Sequence, residues 1–339
     1  MRPILPVTAV RPGSVARDDR PLRVSIFGAG KAARFHLVAL DQIPGVEVAG
    51  VCSRSGSTAE ALVAGRPGAV ATSNPDDLLG APGIDAAIVA VPHELTAGLT
   101  RSLLEVGTPV LVEKPAALSS AEAEDLARLA AERSTLALVA VNRRYYSLVQ
   151  QALAIVAQRG AVRGVVVEGH EQTDTLQRQG SSDPELTGNW LLLNSIHFID
   201  LLRVVGGDVD EVASVVRSVR VPAGDHLSAS MRFAGGAVGT YVAHWNSAAP
   251  PMLRIYGEEC FAEVTLSAPE DAYVQFFGKR RIRLHADAAD QAAKPGVLEQ
   301  DLAFLRAVSA GSTSAPFPAS DLADHAASLR LVEAIRDGR

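Results

Sequence analysis

Gly28-Ala29-Gly30-Lys31-Ala32-Ala33 fits the pattern G-x-G-x-x-[GA]. Glycines at the first and third positions permit a tight turn and let backbone N–H groups approach a phosphate closely. Such a turn holds a dinucleotide only where a strand leads in and a helix leads out; otherwise it is a structural connection. Both flanks are expected here. The apolar run Leu22–Phe27 (LRVSIF) stops at Gly28, and Phe35, Val38 and Ala39 share one face of a helix over Lys31–Asp41. Gly28, Gly30, Lys31, Ala32 and Ala33 are therefore read as the phosphate-binding turn of a dinucleotide site.

A second strand, Val46–Val51, runs into Cys52-Ser53-Arg54-Ser55. Sites for an unphosphorylated adenosine ribose offer Asp or Glu about 20 residues beyond the turn. No acid stands at this tip. A carboxylate would repel a 2′-phosphate, whereas a hydroxyl and a guanidinium would bind it. Ser53 and Arg54 point to NADP in preference to NAD; the alternative is a surface arginine with no ligand.

Pro109–Pro115 reads PVLVEKP. Packing does not explain a Glu113-Lys114 pair at the carboxyl end of a buried strand, and open α/β sheets bind ligands outside that edge. Lys114 reads as a donor to a substrate oxygen or as part of a proton relay; the plainer reading is a solvated lysine at a loop start. His197 lies three residues before Asp200 on a largely apolar helix. It is either a satisfied core histidine or a proton donor with a pKa near neutrality. His170 and Glu171 follow a strand and either reach a cleft or end in solvent. Trp245, between His244 and Asn246, either lines a hydroxylated ligand or fills a core. The run Lys279–Arg283 (KRRIR) reads as a solvated strand or turn. No metal site is expected, because H-E-x-x-H and paired cysteines are missing. G-x-S-x-G is missing too, so a serine nucleophile has no support.

The elements that must position these residues alternate at first. Strands at Leu22–Phe27, Val46–Val51, Ile84–Val91, Pro109–Val112 and Leu136–Val141 are separated by helical stretches, including Ser57–Ala64, Leu95–Val106 and Ser119–Arg133. That order predicts βαβ units in a doubly wound parallel sheet over 22–141. Beyond it lie a helix over Gln150–Gln158, a strand over Val162–Glu168 and a helix over Trp190–Val205. Successive strands follow at Glu211–Val219, His226–Phe233, Ala237–His244, Leu253–Tyr256, Ala262–Leu266 and Tyr273–Phe277. Strands without helices between them predict an antiparallel sheet. The fold class is α/β: a Rossmann sheet, then a second α/β domain over 142–318 with a large, mostly antiparallel open sheet, closed by a helix within 319–339. Residues 1–21, rich in Arg and broken by Pro3, Pro6 and Pro12, read as a loose arm or as sequence ahead of the true start; an arm reaching a partner subunit is the functional version.

Composition narrows the class. The chain has 339 residues, 47% hydrophobic and 21% charged, which suits a folded protein of two domains. With 32 Lys+Arg against 38 Asp+Glu, a uniformly basic surface is ruled out, and with it most dedicated nucleic-acid binders. No apolar run approaches the length of about 18 residues that a membrane helix needs. Two cysteines, Cys52 and Cys260, make no disulfide framework, so a cytoplasmic protein is expected.

Five segments together resemble the Gfo/Idh/MocA oxidoreductases: GAGKAARFH at 28–36, VAVPHE at 89–94, EKP at 113–115, NRRY at 142–145 and NSIHFIDLLRVVGG at 194–207. The resemblance runs over residues 22 to about 338. It implies NAD or NADP, with Pro92, His93, Glu113 and Asn142 joining the cofactor site. It also implies Lys114 as catalytic lysine, His197 as acid/base histidine, and Arg144, Tyr145 and Asn194 beside the substrate with His170 and Trp245. A homodimer or homotetramer through the second domain's sheet is implied as well. Three departures stand out. The aspartate many members carry four residues before the histidine is Leu193 here, with Asn194 next. A histidine often found four residues after the proline is Thr96, His93 standing beside Pro92 instead. The acid that selects NAD gives way to Ser53-Arg54. The expected activity is NADP-dependent hydride transfer at a hydroxyl or keto carbon of a sugar, nucleotide-linked keto sugar or polyol, run as a ketoreductase. Two other readings remain: a non-redox enzyme that retains its cofactor for elimination or epimerisation, and a cofactor-binding pseudoenzyme.

Overall fold

The computed structural model describes residues 14–17, 20–174, 188–221, 224–267, 271–292 and 294–338. The chain divides into two compact units that are not successive segments. The first comprises Met1–Ala117, Glu122–Ser147 and Asp287–Ala323; the second comprises Leu118–Ala121, Leu148–Ala286 and Asp324–Arg339.

The first unit is built on six parallel strands: β1 (Leu22–Phe27), β2 (Val46–Cys52), β3 (Val70–Thr72), β4 (Ala86–Val89), β5 (Val110–Glu113) and β6 (Ala137–Ala140). Their order is β3-β2-β1-β4-β5-β6, so the winding reverses between β1 and β4. Helices α1 (Lys31–Leu40), α2 (Gly56–Val63), α3 (His93–Glu105) and α4 (Ser120–Glu132) follow the strands as expected. Strands β4 and β6 are buried along their whole length, consistent with a sheet covered on both faces. Strand β3 has only three residues, too few for a sequence pattern to reveal.

Two placements in this unit were not legible in the sequence, although a helix over about Leu298–Ser309 is expected from it. Beyond the short helix α7 (Ala288–Ala292), the late helix α8 (Val297–Ser309) returns to pack on α1, burying Leu302, Phe304, Leu305 and Val308 in the core that holds Leu22, Val24 and Leu37. The end of the expected loose arm is docked, in so far as it lies among the described residues. Val15 is 2% exposed in that same core, and its N–H donates to Pro44 O at 3.1 Å. Apolar burial outweighs the entropy of ordering those few residues. Residues 1–13 and 18–19 of the arm lie outside the described residues.

In the second unit eight strands form one sheet: β7 (Gly164–Glu168), β8 (Val209–Arg217), β9 (His226–Phe233), β10 (Val238–His244), β11 (Met252–Gly257), β12 (Cys260–Thr265), β13 (Ala272–Phe276) and β14 (Ile282–Leu284). The order is β14-β13-β12-β11-β7-β10-β9-β8, parallel only between β7 and β10. Alternation sets its two faces. On β9, Leu227, Ala229, Met231 and Phe233 are buried while Ser228, Ser230 and Arg232 are exposed. Helix α5 (Ser147–Ala157) precedes β7, and helix α6 (Ile196–Gly206) packs on β7 and β10. The periodicity predicts a single apolar face along α6, yet every residue from Ile196 to Leu202 is buried. The far side of the helix meets α9 (Leu322–Asp337): Asp200 Oδ1 accepts from Ser328 Oγ at 2.8 Å, and Arg203 pairs with Asp324. The KRRIR run supplies edge strand β14, with Arg281 against Glu263 and Arg283 against Asp271. Among the described residues no helix is long and apolar enough to cross a membrane.

Candidate functional site

The glycine turn closes as its chemistry requires. Gly28 sits at φ +114°, and a Cβ there would lie 2.1 Å from Ala90 O, so only glycine fits. Gly30 caps α1 without any side-chain hydrogen bond, and nothing stands within 4 Å of where its Cβ would be. The amino end of α1, beginning Lys31-Ala32-Ala33, thus has space and no side-chain acceptor, which suits a diphosphate. It opens where the sheet order reverses, the usual crevice for a dinucleotide.

At the tip of β2, hydroxyls crowd together. Ser53 Oγ donates to Ser55 O at 2.6 Å and lies 2.7 Å from Thr58 Oγ1; Ser55 Oγ lies 2.7 Å from Ser57 Oγ. Arg54 is exposed and makes no hydrogen bond or ion pair among the described residues. The first turn of α2 carries no acid. These groups fit an anion at the ribose end of a dinucleotide. Pro92 caps α3 at the exit of β4, and the half-buried His93 that follows has Nδ1 3.6 Å from Glu94 Oε2.

At the end of β5, the half-buried Glu113 is gripped from two sides. His36 Nε2 lies 3.3 Å from Glu113 Oε1, and the backbone N–H of Lys114 donates to Oε2 at 3.2 Å. On its other side His36 Nδ1 lies 2.8 Å from Asp301 Oδ2, the two side chains being fully buried. Burial alone would lower the imidazole pKa; the Asp301 charge and hydrogen bond, reinforced by Glu113, raise it to about 10. Burial would raise Glu113 in turn, but the His36 hydrogen bond and charge, with Lys294 and Lys114 nearby, hold it below the usual carboxylate range. Lys114 itself is half-buried and precedes a cis peptide to Pro115.

Lys294 is a neighbour that no sequence signal marked. Its Nζ lies 4.7 Å from the centroid of the Phe35 ring, and Lys31 Nζ lies 5.8 Å from the same ring. Burial pulls the Lys294 amine below its ordinary pKa, with Glu113 acting the other way.

In the NRRY segment Asn142, Arg144 and Tyr145 are buried. Asn142 Nδ2 donates to Pro295 O at 2.8 Å, and its own carbonyl lies so close to Gly296 (φ +74°) that a Cβ there would sit 2.1 Å away. Arg144 is 3% exposed and reaches Pro318 O at 3.4 Å. Tyr145 is buried, which pushes its phenol well above the ordinary value. The contacts of Asn142 and Arg144 tie the return of the chain at 295–319 to the end of β6.

The second unit gathers a different set. A turn of π-helix over Leu191–Ser195 leads into α6, and such turns are frequent at functional sites. Glu171, also buried, accepts from Asn194 Nδ2 at 2.8 and 3.0 Å and from Ser195 Oγ at 3.0 Å. Where Leu193 replaces an acid in sequence, a carboxylate from another segment therefore stands beside the same turn. His197 follows, 7% exposed, at the start of α6. Asp200 turns to Ser328, as described above. His170 Nδ1 accepts the His244 N–H at 3.1 Å, so its Nε2–H donates to Glu168 Oε2, also at 3.1 Å. Trp245 is 4% exposed and its indole N–H has no hydrogen-bond partner among the described residues; it fills the core. No cluster of three or more metal-ligating side chains occurs among the described residues.

Two family models match the chain. One, described as an oxidoreductase family with an NAD-binding Rossmann fold, covers residues 22–141; the other, the GFO/IDH/MocA C-terminal domain, covers 149–263. The chain belongs to the Gfo/Idh/MocA oxidoreductase family. Its first unit is thus an NAD(P)-binding Rossmann domain. Inositol 2-dehydrogenase 2 of Paenarthrobacter aurescens is 32% identical over 201 residues, which are 57% of this chain and 58% of the relative's length. Solved structures share the fold over nearly the whole length. UDP-N-acetylglucosamine 3-dehydrogenase GnnA of Acidithiobacillus ferrooxidans has a TM-score of 0.77 at 20% identity, covering 94% of this chain and 97% of that one. A mutant of KijD10, a 3-ketoreductase from Actinomadura kijaniata in complex with TDP-benzene and NADP, has a TM-score of 0.73 at 21% identity, covering 94% and 98%. At these identities the structural likeness speaks for the Gfo/Idh/MocA fold alone.

Sequence reasoning missed His36, Asp301 and Lys294. His36 lies inside the quoted GAGKAARFH segment, and its signal was a polar ring on the face of α1 that packs inward. Nothing local marks Asp301 or Lys294.

Proposed function

We propose that this Gfo/Idh/MocA chain is an NADP-dependent oxidoreductase acting on a hydroxyl or keto carbon of a sugar, a nucleotide-linked keto sugar or a polyol, working as a ketoreductase. One observation carries the reading. A lysine stands at the carboxyl end of β5, two strands from the glycine turn, directly after a carboxylate that the protein holds ionised. Nothing in the packing of a sheet calls for that arrangement.

The bound nicotinamide would supply the hydride. Gly28, Gly30 and the amino end of α1 would hold the diphosphate; Ser53 and Arg54 would hold the 2′-phosphate. Lys114 Nζ donates a hydrogen bond to the substrate oxygen and stabilises the negative charge that grows there. His197 supplies the proton that completes the alcohol. Asn194, pinned by Glu171, orients polar groups of the substrate. The name of the curated relative, an inositol 2-dehydrogenase, supports a polyol-like substrate class.

We also propose a homo-oligomer that buries the open face of the eight-stranded sheet, where Val215, Val238 and Tyr256 are 74%, 61% and 40% exposed. The cytoplasm, where the buried thiols of Cys52 and Cys260 stay reduced, is the proposed compartment. Sedimentation at micromolar concentration tests the assembly, and a monomer there refutes it.

The activity is tested by following reduced-nicotinamide absorbance with NADPH or NADH over a panel of keto sugars, and with oxidised cofactor over polyols. Consumption that is faster with NADPH is the expected result. Product formed with no net change in absorbance would mean a transient oxidation within the site, and complete inertness would refute the reading.

A further inference from the structure

His36 is enclosed by carboxylates. Its Nδ1 lies 2.8 and 3.0 Å from the two oxygens of Asp301, and its Nε2 lies 3.3 Å from Glu113 Oε1. The residue is 1% exposed, and the Asp301 side chain 0%. Ionised carboxylates only accept hydrogen bonds, so both ring nitrogens must carry protons to satisfy both neighbours. A ring protonated at both positions is an imidazolium. Asp301 also accepts from the Gln300 amide at 3.3 Å, and its charge reaches Lys294 and Tyr145. Around Glu113 the charged neighbours are His36, Lys294 and Lys114, and Lys31 and Arg143 lie near Lys294. The two lysines nearest Glu113 are cations, which favours ionised Glu113 over a protonated one.

Glu113, its carboxylate ionised, stands at the tip of β5. Glu113 Oε2 uses that charge to hold the backbone N–H of Lys114. We propose that His36 is a positioning residue for Lys114: a buried imidazolium, anchored on Asp301, that keeps Glu113 ionised and in place and so fixes the chain from which Lys114 reaches its substrate. The inference rests on the reading of Lys114 given above. A neutral ring could donate to only one carboxylate, and the other would lose its grip.

The experiment uses the full chain with His36→Gln and the double variant His36→Gln/Asp301→Asn, which leaves no unpaired buried charge. Carboxyl carbon NMR follows the titration of Glu113, assigned through Glu113→Gln. In the parent protein Glu113 stays ionised to below the ordinary glutamate value of 4.5. In both variants its midpoint rises by about one pH unit or more. Turnover at saturating cofactor drops roughly tenfold or more, as expected for a misplaced catalytic group. The double variant regains thermal stability without regaining turnover. An unchanged Glu113 titration in either variant, or turnover that returns with stability in the double variant, overturns the proposal. If the parent protein reduces no substrate, the proposed activity fails, while the Glu113 titration by itself still decides the role of His36.

Discussion

His36 and Asp301 are 265 residues apart in the chain, yet the ring nitrogen of one lies 2.8 Å from the carboxylate of the other, and solvent reaches neither. The pair locks α1 to α8, so the helix that opens the glycine turn is braced by a helix near the end of the sequence.

The pair makes stability depend on pH in a defined direction. His36 has an ordinary pKa of 6.5, and its folded pKa is about 10. A raised histidine contributes stability that is fully present below the lower value and is lost as pH climbs through the upper one. Urea unfolding between pH 6.5 and 10 should show a fall from this group approaching about 1.4 kcal/mol per pH unit. In Asp301→Asn that slope should flatten. An equally steep slope in the variant would assign the pH dependence to other groups.

Replacing Lys114 by Met removes the donor to the substrate oxygen while keeping most of the side chain's bulk. Turnover should fall by about 10²–10⁴-fold, the range typical of a lost acid–base or electrostatic partner. NADPH affinity, measured by fluorescence, should stay within about twofold. Undiminished turnover would remove Lys114 from the chemistry.

Arg54 carries the proposed choice between cofactors. Arg54→Ala should weaken NADPH binding by roughly 10–100-fold, the worth of a charge-assisted hydrogen bond or two. NADH binding should hardly move. Calorimetry with both cofactors decides the matter, and equal losses would mean that Arg54 touches a part the two share.

Glu171 anchors the π-helical turn before His197. Glu171→Ala would strand the Asn194 amide and the Ser195 hydroxyl, at a cost of about 1–3 kcal/mol. Glu171→Gln keeps one acceptor oxygen and should cost less. Denaturant midpoints for the two variants give the comparison; equal midpoints would show that Glu171 does not hold the turn.

Much of the fold could be read from local pattern. Alternating apolar runs and helical spacings announced the parallel sheet, and the unbroken series of strands announced the antiparallel one. The glycine turn and the Glu113-Lys114 pair were legible for the same reason: their residue types conflict with what packing alone would place there. Trp245 shows the limit of that logic. A tryptophan between His244 and Asn246 suits a ligand face or a core equally well, and burial to 4% exposure gives it to the core. Asn142, Arg144 and Tyr145 came to notice through a resemblance, and Asn142 and Arg144 also hold the returning chain. The arm at the amino end looked loose because its prolines break every regular pattern, but docking of Val15 needs no regular pattern.

The amino-acid order by itself determined the elements, the class of the sheets and the residues able to do chemistry, because periodicity and residue type act over a few positions. Tertiary structure decided which charges meet. It set His36 between Asp301 and Glu113, brought Lys294 to Phe35 and placed Glu171 under Asn194. Each of these contacts depends on distance in space across a folded core, where water is excluded and a neighbouring charge controls protonation, and no local spacing encodes that.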